Sequence, residues 1–215
     1  MPGRDDYAGL LGRFYSSYIA RPRLARTVGK LFWASDFGPL YDSLETLREV
    51  RAEVVVDIAC GAGLALQWLD PAKVGRYVGI DQSPAMLARA EEVGRRRGFT
   101  AAELDLGEVT AIALPDGAAD LALLYNGLHC FARPEAAVVE AARCLKPAGQ
   151  LVGAMLVRGE NRRVDRMMER EARKESGVMG PGGTIADLQQ WLEDAGFGDV
   201  ETSTTGSFAT FSARR

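Results

Sequence analysis

The sequence predicts an α/β fold: a doubly wound, mostly parallel sheet, seven-stranded, closed by an antiparallel C-terminal hairpin and preceded by a helical cap. Three observations carry that prediction. From Glu53 onward, short apolar runs alternate with amphipathic stretches, the pattern of parallel strands joined by crossover helices. A glycine-rich turn, Cys60-Gly61-Ala62-Gly63, follows the first of those runs, at the strand end where open sheets place their ligands. Near the C-terminus the turn Thr205-Gly206 separates two short strand-like runs, which reads as a hairpin.

Residues 1–50 read as a helical cap, because Leu10, Leu11, Phe14, Tyr15 and Tyr18 recur at three- and four-residue steps. Residues 51–215 form the sheet core, and the whole makes one compact domain. Val54-Val55-Val56-Asp57-Ile58 is a buried first strand, and residues 64–69 open a helix after the glycine turn. Tyr77-Val78-Gly79-Ile80-Asp81 is the second strand. Ser83-Pro84 then starts a helix, since serine caps free amides and proline suits the first helical position. That helix ends at Arg95-Arg96-Arg97 and Gly98, the cations and glycine favoured at a helix C-terminus. Further strands are predicted over 100–104, 120–125 and 150–157, with a helix over 135–145. Thr184 caps a helix through Ala195 with Asp187 in the capping-box position, and Gly196 ends it. Residues 199–204 and 207–212 make the closing hairpin.

A chain of 215 residues buries an adequate core without disulfide or metal staples. Its net charge of −3 supplies no overall basic field for a phosphate backbone or an anionic membrane. The stretch 158–174 mixes arginines with Glu160, Asp165, Glu169 and Glu171, as a solvated helix face does. No nucleic-acid partner is predicted, nor any membrane span, and Met1 to Asp6 lacks the apolar core of a secretory signal. The expected location is cytoplasmic. Cys60, Cys130 and Cys144 form no Cys-x-x-Cys pair and read as reduced thiols. With His129 the one histidine, no metal site is expected.

Gly61 and Gly63 let the backbone approach a ligand closely. Asp81, ending the second strand, can accept hydrogen bonds from both hydroxyls of an adenosine ribose. A nicotinamide dehydrogenase also pairs a glycine loop with an acid about 20 residues on. Its fingerprint, however, wants glycine or alanine where this chain has Leu66, and it does not predict the C-terminal hairpin.

These residues resemble the motifs of the class I S-adenosylmethionine-dependent methyltransferases, in particular the small-molecule branch with the ubiquinone and menaquinone methyltransferases. Asp57-Ile58-Ala59-Cys60-Gly61-Ala62-Gly63 is similar to their glycine-rich motif and Gly79-Ile80-Asp81-Gln82-Ser83-Pro84-Ala85-Met86-Leu87 to their second-strand motif. Leu145-Lys146-Pro147-Ala148-Gly149 resembles the turn before their fifth strand. Ala59 departs from the pattern, many members having glycine there. The resemblance implies a Rossmann-like fold with S-adenosyl-L-methionine as cofactor. It implies that Gly61 and Gly63 lie against the aminoacyl part, with Ala59 in the same loop, that Asp57 fixes the loop, and that Asp81 holds the ribose. Gln82 and Met86 would flank the adenine, Asp105 and Leu106 would contact its edge, and Asn126 would meet the methionine end.

Methyl transfer from a sulfonium is an in-line displacement, accelerated by holding the acceptor in line and excluding water. His129, just beyond the fourth strand, is the candidate general base, its ordinary pKa of about 6.5 suiting the task. Asn126-Gly127-Leu128-His129 stands where base-amino methyltransferases often carry an Asp/Asn-Pro-Pro-Tyr/Phe motif, which argues against such a substrate. Eight of the seventeen aromatic residues fall before position 42. Tyr15, Tyr18 and Trp33 among them are candidate walls for a small, partly apolar acceptor. The alternative is a protein that binds the same cofactor without transferring methyl groups, since fold alone does not settle function. The glycines at 177, 180, 182 and 183 would permit a lid.

Overall fold

The computed structural model describes residues 17–100, 102–174 and 179–215. Seven strands form one sheet: β1 (Ala52–Ile58), β2 (Val74–Asp81), β3 (Ala102–Leu106), β4 (Ala119–Tyr125), β5 (Leu145–Leu156), β6 (Gly198–Thr205) and β7 (Phe208–Arg214). Their spatial order is β3-β2-β1-β4-β5-β7-β6. The first five are parallel, and β7 runs antiparallel to both β5 and β6. The chain order reverses between β1 and β4, so the loops leaving their C-terminal ends diverge and open a crevice.

The helices are α1 (Pro22–Phe32), α2 (Gly38–Thr46), α3 (Pro84–Arg97), α4 (Pro134–Cys144), α5 (Arg162–Ala172) and α6 (Ile185–Asp194). Period-two alternation divides the core. Val56, Ile58, Ala122 and Leu124 join Val138 of α4 and Leu188 of α6 in one apolar layer. Val55, Leu121 and Leu123 join Leu40 of α2 and Met168 of α5 in the other. Phe37 stacks on Phe208 with ring centroids 4.6 Å apart, which fastens the leading helices to β7.

Local chemistry sets several boundaries as predicted. The Ser83 hydroxyl accepts the Met86 amide at the start of α3, and Gly98 takes the left-handed conformation at its end. Thr184 and Asp187 exchange hydrogen bonds in a capping box on α6.

Three elements differ from the sequence expectation. Residues 64–69 give only a 3₁₀ turn at Ala65–Gln67. Ala65, Leu66 and Leu69 are buried there, and Pro71 follows too soon for a longer helix. β3 starts two residues later than predicted because the Phe99 and Thr100 amides close α3, bonding to the carbonyls of Gly94 and Gly98. β5 begins early, at Leu145 opposite Ala119, and passes through an irregularity before Gln150 pairs with Leu121. Leu10, Leu11, Phe14 and Tyr15 lie outside the described residues.

Candidate functional site

The loop leaving β1 is shaped by a run of left-handed residues: Ala59 at φ 58°, Gly61 at 54° and Gly63 at 76°. Ala59 occupies a conformation that costs a non-glycine residue about 1 kcal/mol, which explains why glycine suits this position. The Gly61 amide donates to Oδ2 of Asp81 at 2.9 Å, and the Ser83 amide donates to Oδ1 at 2.9 Å. Burial raises the Asp81 carboxyl above its ordinary value, while these amides pull it back. The Gln82 amide also acts on this carboxyl, and with about four lone-pair sites the carboxylate still has capacity to accept from a ligand.

A Cβ at Gly61 would meet no protein atom within 4 Å and would stand in the large cavity that Gly61 lines. The cavity measures about 2820 Å³, against a typical range of about 300–1,000 Å³ for a single ligand. It has room for two occupants. Of the predicted site residues, Ala59, Gly61, Asp81, Gln82, Met86, Asn126 and His129 line it, as do Tyr18 and Trp33. An acidic carboxylate beside a side-chain-free loop fits the ribose and aminoacyl parts of S-adenosylmethionine.

Other predicted residues sit elsewhere. Asp105 and Leu106 are the last residues of β3, paired with Ile80 and Asp81, and both are exposed. Neither is among the cavity's lining residues; Gly107, Glu108, Val109 and Thr110 form that wall instead. Asp105 and Leu106 end the strand rather than follow it because β3 is displaced by two residues. Gly63 faces Ala90 of α3 rather than the cavity, a Cβ there lying 3.2 Å from the Ala90 Cα. Asp57 is buried and accepts the Tyr77 hydroxyl at 2.6 Å. Burial lifts its carboxyl to about 7 against the pull of that bond. Room for the Tyr77 ring comes from Gly79, where a Cβ would lie 3.0 Å from both Tyr77 Cε1 and Cys60 Sγ.

Beyond β4, Asn126 is left-handed at φ 60° and its amide donates to the Ala154 carbonyl on β5 at 2.7 Å. His129 lies in a 3₁₀ turn, Leu128–Cys130. Its Nδ1 accepts the Leu156 amide at 3.2 Å, and burial pushes its pKa down to about 4. The Gly180 amide donates to the His129 carbonyl at 2.9 Å, tying residues 179–181 to the cavity's edge. Trp33 hydrogen-bonds to Tyr18, whose hydroxyl burial pushes up to about 12. Phe37, Tyr125, Phe131, Leu156, Met179 and Phe208 complete the apolar wall. Most of these come from distant elements, and no local signal in the sequence singles them out.

Residues 56–153 match the family described as methyltransferase domain. The matched segment, just under half of the chain, resembles a methyltransferase domain. That segment runs from β1 to the middle of β5 and contains the loop, Asp81, Asn126 and His129. The chain is 36% identical over 111 residues to an uncharacterised protein of transposon Tn4556 from Streptomyces fradiae, covering 51% of this chain and 32% of that protein. It is 26% identical over 153 residues to the arsenite methyltransferase of Halobacterium salinarum, covering 69% of this chain and 38% of that enzyme. It thus spans about a third of the length of these relatives. The S-adenosylmethionine-dependent methyltransferase structure from Mesorhizobium loti is 19% identical, covers 81% of this chain and 97% of that one, and superposes with a TM-score of 0.65. At that identity the match speaks for the fold. Among the described residues no helix is long and apolar enough to cross a membrane, and no group of three His, Cys, Asp or Glu side chains could hold a metal ion.

Proposed function

We propose that this chain transfers a methyl group from S-adenosyl-L-methionine to a small, partly apolar acceptor held in the second part of the cavity. The observation that carries the reading is the pairing of Asp81 with the Gly61 amide at the edge of a cavity whose far walls are aromatic. When bound, the cofactor supplies a methyl group activated by its sulfonium. Asp81 would hold the ribose diol, Gln82 and Met86 would flank the adenine together with the wall after β3, and the Gly61 loop and Asn126 would meet the methionine end. Asp57 would act from below, holding strands β1 and β2 together through Tyr77.

Tyr18 and Trp33 would wall the acceptor. Excluding water and holding the acceptor in line are the main contributions such a site makes. The arsenic acceptor in the haloarchaeal relative's name is soft and favours several thiolates together. Here Cys60 and Cys130 line the cavity while Cys144 does not, and burial pushes the Cys60 thiol well above its ordinary value. The apolar walls favour an organic acceptor. Calorimetric titration with S-adenosylmethionine and S-adenosylhomocysteine, with NAD as a control, tests the cofactor half of the reading. Labelled methyl transfer to a panel of apolar acceptors tests the other half and separates the enzyme from a protein that only binds the cofactor.

A further inference from the structure

The role of His129 follows from which of its ring nitrogens is used. The Leu156 amide on β5 donates to Nδ1, so Nδ1 must be bare and the neutral ring carries its proton on Nε2. Nε2 has no partner among the described residues, and the side chain lines the cavity. The ring cannot swing to exchange nitrogens without leaving the buried Leu156 amide unpaired, which would cost about 1–3 kcal/mol. Its backbone is also pinned, the carbonyl accepting the Gly180 amide. A general base needs a bare nitrogen aimed at the acceptor, and here the nitrogen available to the cavity bears a hydrogen.

We infer that His129 is a fixed Nε2–H donor that reads a lone pair on the acceptor, so that the acceptor is an apolar phenol or enol presented as its oxyanion. In that case an oxygen lone pair forms the new O–C bond as the C–S bond of the sulfonium donor breaks. The C–S electron pair stays on sulfur, and no proton has to reach the protein. The apolar walls at Phe131, Leu156 and Phe208 receive the body of such a molecule, and the single N–H fixes its oxygen. The inference rests on the methyltransferase reading of the same cavity, and the two can fail separately.

His129 is the chain's one histidine, so every ring signal of protein labelled with nitrogen-15 histidine belongs to it. The expected spectrum at neutral pH shows a proton on Nε2 and a bare Nδ1. A proton on Nδ1, or a doubly protonated ring, overturns the inference whatever the chain catalyses. With S-adenosylhomocysteine added, para-nitrophenolate should shift the Nε2 proton downfield and nitrobenzene should not. The affinity advantage of the phenolate should fall about tenfold in H129L and survive in H129Q, whose amide restores a donor. An unmoved Nε2 proton, or equal losses in both variants, overturns the inference. Calorimetry with S-adenosylhomocysteine on the same sample judges the cofactor reading by itself, because absence of binding there leaves the tautomer result standing.

Discussion

Asp81 accepts the Gly61 amide at 2.9 Å across twenty residues of chain, joining the tip of β2 to the loop after β1. Its other oxygen takes the Ser83 amide at the same distance. An Asp81→Asn substitution keeps the shape but must aim its NH₂ at one of these two N–H groups. Affinity for S-adenosylmethionine in calorimetry should fall tenfold or more, as expected for losing a charged acceptor worth about 1.5–3 kcal/mol. Unchanged affinity would remove Asp81 from the cofactor site.

The two glycines of the loop should fail in different ways. Alanine at either position pays about 1 kcal/mol for its left-handed backbone. At Gly61 the new methyl meets nothing in the protein, whereas at Gly63 it presses on Ala90 and Leu66. Gly61→Ala should therefore lose cofactor affinity out of proportion to stability, and Gly63→Ala stability out of proportion to affinity. Thermal melts beside calorimetry would separate the two.

Ala59 sits at φ 58°, so Ala59→Gly relieves strain that exceeds the extra entropy of an unfolded glycine. Stability should rise by about 0.5 kcal/mol, read as a higher urea midpoint. A lower midpoint would show that the Ala59 methyl contributes more by packing than its backbone costs.

Asp57 and His129 should oppose each other in the pH dependence of stability. Folded Asp57 keeps its proton up to about pH 7, against an ordinary value of 3.8, so raising the pH through that window favours the unfolded chain, which releases the proton sooner. Folded His129 refuses a proton down to about pH 4, against an ordinary 6.5, so lowering the pH from 6.5 favours the unfolded chain, which takes one. Between about pH 4 and 6.5 these slopes offset in the wild type. Asp57→Asn should leave the histidine slope, a loss of up to about 3 kcal/mol on acidification. His129→Gln should leave the aspartate slope, with stability falling as the pH climbs toward 7. Urea midpoints measured across this range check both signs.

Tyr18→Ala should reduce acceptor turnover more than cofactor affinity, because Tyr18 and its partner Trp33 line the cavity while Asp81 and Gly61 stay in place. Equal losses in the two would make Tyr18 a packing residue.

Much of this was legible in the order of residues. The Ser83 cap, the Gly98 stop and the Thr184 capping box depend on neighbours three or four positions away, so the sequence states them directly. The glycine loop and Asp81 were readable because each ends a strand that an apolar run announces. Asp105 and Leu106 fall at the end of β3 rather than after it because the close of α3 takes up Phe99 and Thr100, a boundary decided by hydrogen bonds rather than by hydrophobic pattern.

What the sequence by itself determined is the succession of strands and helices and the identity of the loop and acid that end β1 and β2, since local periodicity and capping specify them. Only the tertiary structure decided that β7 enters between β5 and β6, that Tyr77 spends its hydroxyl on Asp57 across the gap left by Gly79, and that the Leu156 amide donates to Nδ1 of His129. Each of these joins groups distant in the chain, and which strand lies beside which depends on how the whole core closes rather than on any one segment.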